Sequence, residues 1–343
     1  MKTRAAILWK SNQPLIIDEV EIPSLKRGQV LVKIFYSGIC RAQYNEIIAL
    51  KGPDKFLPHL LGHEASGEVV DYGAGITKVK KGDTVCLSWI KGKGLDGINS
   101  QYKFGSRVIN AGGVTTFSDY AVVSENRITR IAKNTDRKVA AIVGCAVLTG
   151  SGIINNTLKA QQGKSLVVFG AGGVGLNVIM AAHAKGLNPI VAVDINPKKL
   201  IFAKNLGATH VLTANSQIIK KLFTICPNGF DFAVDASGNK TAMEAGFSVI
   251  ANHGVMAIAG NLGINEKISI HPFDLIKGKR IIGTWGGESL PDRDVPIYLK
   301  NFNSGKLPID QLITHTFKLE DINKAFSQLT NAHAGRIIIE LNS

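Results

Sequence analysis

Residues 166–186 read LVVFGAGGVGLNVIMAAHAKG. The opening LVVF is a continuous apolar run, the mark of a strand buried on both faces. Gly170-Ala171-Gly172-Gly173-Val174-Gly175 follows as G-x-G-x-x-G, and the helix-like run from Val174 stops at Gly186. Strand, glycine turn and helix are the context in which this motif binds a dinucleotide. Gly170 makes the tight turn, Gly172 lets the backbone approach a pyrophosphate, and Gly175 lets helix and strand lie close. The free N–H groups and partial positive charge of the helix start face the phosphates. Asp194 ends the next apolar run, IVAVD, near the spacing at which an acid accepts the ribose hydroxyls and repels a 2′-phosphate. The reading is NAD rather than NADP. An ordinary glycine-rich turn, and for Asp194 a helix cap before Pro197, are the plainer alternatives.

Working outward, the same alternation continues. KKLIFAKNLGA reads as a helix, HVL (210–212) as a strand, FDFAVDAS (230–237) as a strand, TAMEAGFSVI as a helix and VMAIAG (255–260) as a strand. Strands alternating with helices predict a doubly wound parallel sheet. Before residue 150 the pattern differs. VLVKIFYSGIC (30–40) reads as a strand ending at a Gly turn, and 66–72, 83–88 and 119–123 read as short strands, with Gly73, Gly75 and Gly82 between them. That is a β-rich unit. Residues 89–114 have weak periodicity and read as a long surface excursion. The tail carries a helix around DINKAFSQLT and a last strand, RIIIEL.

At 343 residues the chain exceeds the size at which one core stops growing, so two domains are expected. The 45% apolar and 19% charged content excludes disorder. No secretory signal or membrane-spanning run is read, so the expectation is a cytoplasmic protein with no membrane partner. The net charge of +14 raises the question of nucleic acid. The basic residues form no tail or stripe, and the densest set (Lys78, Lys80, Lys81) reads as a solvated turn, so no nucleic-acid partner is expected. Cys40, Cys86, Cys145 and Cys226 lie far apart, as reduced thiols do.

Cys40, His63 and Cys145 would give zinc two thiolates and an imidazole with one position open, as a catalytic site needs. By residue type alone each cysteine is more often a buried apolar thiol. The motifs GICRAQ, LLGHEASGEV, GCAVLTGSG, VFGAGGVGLNVIMAA, VDINPKKLIFAKNLGAT and TWGGESL, in this order, resemble the zinc-dependent alcohol dehydrogenases of the medium-chain dehydrogenase superfamily. The resemblance runs over nearly the whole chain.

It implies a β-rich GroES-like catalytic domain, residues 1–149 and 286–343, and a Rossmann coenzyme domain, residues 150–285. It implies Cys40, His63 and Cys145 as ligands of one catalytic zinc per subunit, with Glu64 as the acidic neighbour. Arg41 and Arg336 match pyrophosphate-binding arginines, Thr149 and Val174 flank the nicotinamide, and Lys199 stands beside Asp194 at the ribose. Trp89 falls at the aromatic wall of the substrate pocket. The segment GKRIIGTWGG resembles an edge strand that pairs subunits, so a homodimer or homotetramer is expected.

Two departures stand out. Residues 87–114 contain no cysteine where many members hold a second, structural zinc. The relay position two residues after Cys40 is Ala42, followed by Gln43 and then Asn45, and none of these passes a proton. The expected activity is hydride transfer between an alcohol (a polyol, sugar-like or amino alcohol) and NAD. A zinc-free quinone or enoyl reductase of the same superfamily and an inactive nucleotide-binding protein are the alternatives.

Overall fold

The computed structural model describes residues 1–330 and 335–342. Leu166–Phe169 lies at the centre of a six-stranded sheet. Its order is His210–Thr213, Ile190–Asp194, Leu166–Phe169, Phe230–Asp235, Ile250–Ile258, Arg280–Gly283, with every neighbouring pair parallel. Counted along the chain this is 3-2-1-4-5-6, the doubly wound dinucleotide-binding order. Val167, Val168, Val191 and Ala192 are fully buried, as a sheet covered on both faces demands.

The glycine motif is required by geometry. Gly170 has φ +96°, and a Cβ on Gly175 would sit 1.8 Å from the Gly170 carbonyl oxygen. Helix Gly173–Lys185 therefore starts hard against the strand and ends at Gly186 in the left-handed region.

The remaining described strands build a five-stranded closed barrel, a seven-stranded sheet and the connection between them. Gln29–Ile39 is the hub of the seven-stranded sheet. It pairs antiparallel with Ala65–Tyr72, Tyr120–Ser124 and Arg336–Glu340, so the C-terminal strand returns to the N-terminal part of the chain.

Four features depart from the sequence reading. Gly38 is no turn: the strand runs through it, and a Cβ there would lie 2.4 Å from Glu64 Oε1, so the glycine makes room for a carboxylate. The excursion contains a hairpin, Gln101–Phe104 with Arg107–Asn110, whose Tyr102 and Ile109 are fully buried in the barrel. Lys2–Leu8 and Ile16–Glu21 are barrel strands that the sequence reading left unassigned. Finally, Arg137–Thr157 is a 21-residue helical run apolar enough to cross a membrane, contrary to the expectation that none exists. Its most apolar stretch is 89% buried inside the protein, so it is a core helix.

Candidate active site

Three separate elements bring the sulfur and nitrogen donors together. Cys40 caps helix Arg41–Ile47 at the end of the hub strand. His63 lies in the short connection before Ala65–Tyr72. Cys145 lies in a π-helical turn, Val143–Val147, inside the long core run, an irregularity common at functional sites. Their ligand atoms all fall within 4.8 Å of one another, and His63 Nε2 is 3.2 Å from Cys145 Sγ. The Cys145 S–H bond holds the Cys40 thiol well below its ordinary range, and the same bond raises Cys145.

Gln43 is buried and ties the set: its Oε1 accepts from Cys40 N–H at 2.8 Å, and its Nε2 lies 2.6 Å from His63 Nδ1. Glu64 is fully buried and paired with Arg336, itself only 4% exposed. Arg336 also packs beneath the glycine motif, where a Cβ on Gly173 would come 3.1 Å from its Nη1. Burial pulls this guanidinium below its ordinary pKa, while neighbouring Cys40 opposes the fall. The His333-Ala334 that precedes it in the motif lies outside the described residues.

A cleft of about 550 Å³ opens beside His63, lined among others by Gln43, Glu46, Trp89, Thr115 and Arg127. Trp89 stacks edge-on with Trp285, centroids 5.1 Å apart. On the nucleotide side, Asp194 Oδ2 accepts from Ala171 N–H at 2.7 Å and Oδ1 from Asn196 N–H at 2.8 Å. The helix Pro197–Asn205 is capped by Asn196, so Asp194 is not its cap. Val174 begins the motif helix and Thr149 is buried on the core run, which packs against that helix. Lys199 is half-buried on the helix after Asp194; Arg41 is exposed, with its guanidinium 4.8 Å over the Tyr44 ring.

Two family models match this chain: an alcohol dehydrogenase GroES-like domain over residues 26–133 and a zinc-binding dehydrogenase over residues 173–304. S-(hydroxymethyl)glutathione dehydrogenases from Photobacterium damsela subsp. piscicida and from strains of Escherichia coli are 32% identical over 99% of the chain and 100% of their own length. The chain belongs to the zinc-type alcohol dehydrogenase family. Solved structures agree. An alcohol dehydrogenase zinc-binding domain protein from Burkholderia ambifaria superposes with TM-score 0.92 at 25% identity, covering 100% of both chains. Benzyl alcohol dehydrogenase from Acinetobacter calcoaceticus gives 0.90 at 26% identity, covering 99% of both. This alcohol dehydrogenase-like enzyme is an oxidoreductase whose cofactors are zinc and a nicotinamide dinucleotide.

The donors fit the metal. Tetrahedral zinc with two sulfurs and one imidazole spaces its ligands about 3.5–3.8 Å apart, and three donors within 4.8 Å are already gathered to that scale. The zinc-free reductase alternative loses its footing here.

The remaining cysteines keep their plain role: Cys86 is fully buried and burial pushes its thiol up to about 12. His59, for which the sequence offered no partner, pairs with Asp54 at 2.7 Å on the cleft wall.

Two residues escaped the sequence reading entirely. Arg127 lines the cleft, although nothing in SENRITRI marks it. Glu125 is buried, and its carboxylate accepts from the backbone N–H groups of Thr77, Lys78 and Leu95 at 2.7, 2.8 and 2.7 Å. It thus ties the cysteine-free excursion to the sheet. The excursion's own lysines do not line the cleft; Lys91 is paired with Asp96 at the surface.

Proposed function

We propose that the enzyme transfers a hydride between an alcohol carrying a second polar group and NAD, with Cys40, His63 and Cys145 holding one zinc per subunit. The observation that carries it is the gathered donor triad, whose His63 lines the same cleft as Trp89 and whose Cys145 sits on a core run that packs against the dinucleotide helix. Zinc, when bound, supplies Lewis acidity toward the alcohol oxygen, and the nicotinamide accepts the hydride.

The chain's own residues do the rest. Gln43 orients His63. With His63 Nε2 turned toward Cys145, its Nδ1 lies 2.6 Å from the Gln43 Nε2, while the Gln43 oxygen is held by Cys40 N–H. Thr149 and Val174 flank the ring, and Trp89 shapes the cleft. Arg336 holds Glu64 beside the metal ligands and lies under the pyrophosphate loop, with Arg41 as the second phosphate base.

Ala42 carries no hydroxyl, so the substrate's second polar group or a water takes the alcohol proton. Simple alcohols are then poor substrates. The test is a screen with NAD, followed by NADH absorbance: ethanol, polyols, amino alcohols, hydroxy acids and the relatives' S-(hydroxymethyl)glutathione. Turnover of ethanol as fast as the best polar alcohol would overturn the substrate reading; no turnover of any alcohol would overturn the function.

Asp194 sets the choice of cofactor, with Lys199 beside it at the ribose. Asp194→Ala should raise the KM for NAD about tenfold or more while improving use of NADP, because the ribose loses an acceptor and the 2′-phosphate loses a repelling charge. Kinetics with both cofactors decide it, and a wild-type preference for NADP would show the assignment wrong.

Two copies are proposed to pair through Arg280–Gly283, the open edge of the parallel sheet, with exposed Phe273, Leu275, Ile276 and Trp285 around it. Light scattering that returns the monomer mass would refute this.

A further inference from the structure

Among the groups that line the cleft, Arg127 is out of balance. Its Nη1 donates to the carbonyl of Trp89, which fixes the side chain's direction. The other edge of the guanidinium, Nε and Nη2, lies against Gly113, another wall of the cleft. A Cβ on that glycine would come 3.5 Å from Nε and 3.9 Å from Nη2. Nε is closed off from water and, among the described residues, has no acceptor. Among the described residues no carboxylate stands within ion-pair distance of Arg127.

The nearest acid in electrostatic reach is Asp96, and its charge is already answered by Lys91 at 2.5 Å and by Asn126 at 3.0 Å. Glu46, which also lines the cleft, feels the charges of His59, His63, Asp54 and Lys51, and Arg127 is not among them. Desolvation already draws the guanidinium below its ordinary pKa, the state a bound counter-charge would relieve.

A second orphan stands on the same wall. Thr115 is 4% exposed, lines the cleft two residues beyond Gly113, and its Oγ1 has no hydrogen-bond partner among the described residues. A buried hydroxyl and a guanidinium edge without acceptors are costly to leave unmade. They are complementary to one kind of group: an anion that accepts from a charged fork and from a hydroxyl. The net charge of +14 draws anions toward the surface in general.

We infer that Arg127, with Thr115, is the specificity-determining site for an anionic group on the substrate, so that the alcohol oxidised is one bearing a carboxylate or a phosphate. The inference rests on the dehydrogenase reading above and names the second polar group that reading requires. Arg127 reaches the Trp89 carbonyl, and His63 and Trp89 line the same cleft, so an anion held by Arg127 shares that cleft with a metal donor to which the hydroxyl is presented.

The test compares ω-hydroxycarboxylates of increasing chain length, and the matching ω-hydroxyalkyl phosphates, with the neutral alcohols of the same length. The wild-type enzyme is expected to prefer an anionic member over its neutral counterpart by at least about tenfold in kcat/KM, chiefly through KM. Which series wins tells carboxylate from phosphate. Arg127→Met should collapse that ratio toward one, and Arg127→Lys should restore part of it.

Butyrate and inorganic phosphate, followed by quenching of tryptophan fluorescence, give a readout that needs no turnover. The wild type should bind one of them and Arg127→Met should not. Equal kcat/KM for anionic and neutral alcohols in the wild type, or an unchanged ratio in Arg127→Met, would overturn the inference and leave the dehydrogenase reading intact. Absence of turnover with every alcohol would strike that reading instead, and the quenching experiment would still decide whether the anion site exists.

Discussion

Cys145→Ala should cost the enzyme about a thousandfold or more in kcat/KM and most of its zinc. The loss of one thiolate leaves Cys40 and His63 of the gathered donor set and strips a negative charge from the metal's surroundings. Lewis-acid stabilisation is worth several kcal/mol, and each 1.36 kcal/mol is a factor of ten, so a factor of about a thousand corresponds to roughly 4 kcal/mol. Elemental analysis gives the zinc stoichiometry and steady-state kinetics the activity. A variant that keeps both would remove Cys145 from the ligand set. The unmodified protein should carry one zinc per subunit, and two tightly held zincs would contradict the reading of residues 87–114.

Glu125→Leu should destabilise the fold by roughly 3–5 kcal/mol, because three backbone N–H groups lose their acceptor in a buried place and each such loss costs about 1–3 kcal/mol. Burial alone would raise this carboxyl, but the N–H groups of Leu95, Thr77 and Lys78 outweigh it and hold the pKa below the ordinary value. The sign follows. With the folded pKa below the unfolded one, near about 4.3, the unfolded chain binds more protons between the two values. The stabilisation is therefore complete above the unfolded value and lost as pH falls through the folded one. Urea unfolding at neutral pH and below pH 4 should show the gap between wild type and Glu125→Gln closing in acid. A Leu variant within about 1 kcal/mol of wild type at neutral pH would show that the carboxylate holds nothing.

The nucleotide half was readable because its strands are covered on both faces. Such strands must be apolar without interruption, as LVVF and IVAVD are, and only glycine fits where Gly175 meets the Gly170 carbonyl. Residue type alone pointed only weakly to the three metal donors, and resemblance singled them out, since their meaning depends on a fold that joins a strand end, a short connection and a π turn. The hairpin at 101–110 did leave a trace. QYKF alternates exposed and buried positions, but a stretch of Gly and polar residues around it hid the period. Arg137–Thr157 was missed for the opposite reason, since a helix buried nearly all round has no polar face to set a period. Arg127 and Glu125 left no trace. A lone glutamate and a lone arginine two residues apart look like surface until the backbone amides and cleft walls around them are known. Gly38 misled for a similar reason: its role is to leave space for the Glu64 side chain, which comes from the connection before Ala65–Tyr72.

The long core run carries more than its share of the active site. Cys145 and Thr149 sit on it four residues apart, one turn of helix, about 5–6 Å. Its first turns pack on the hub sheet and its later ones on the helix of the glycine motif. The run is thus a ruler laid across the two halves of the molecule, and the spacing between Cys145 and the residue proposed to flank the nicotinamide is written into one continuous stretch of backbone. Where two docked bodies would let that spacing drift with every movement between them, here it is graduated by helical rise. A single residue inserted between the two marks would swing Thr149 about 100° around the axis, however well both halves still folded.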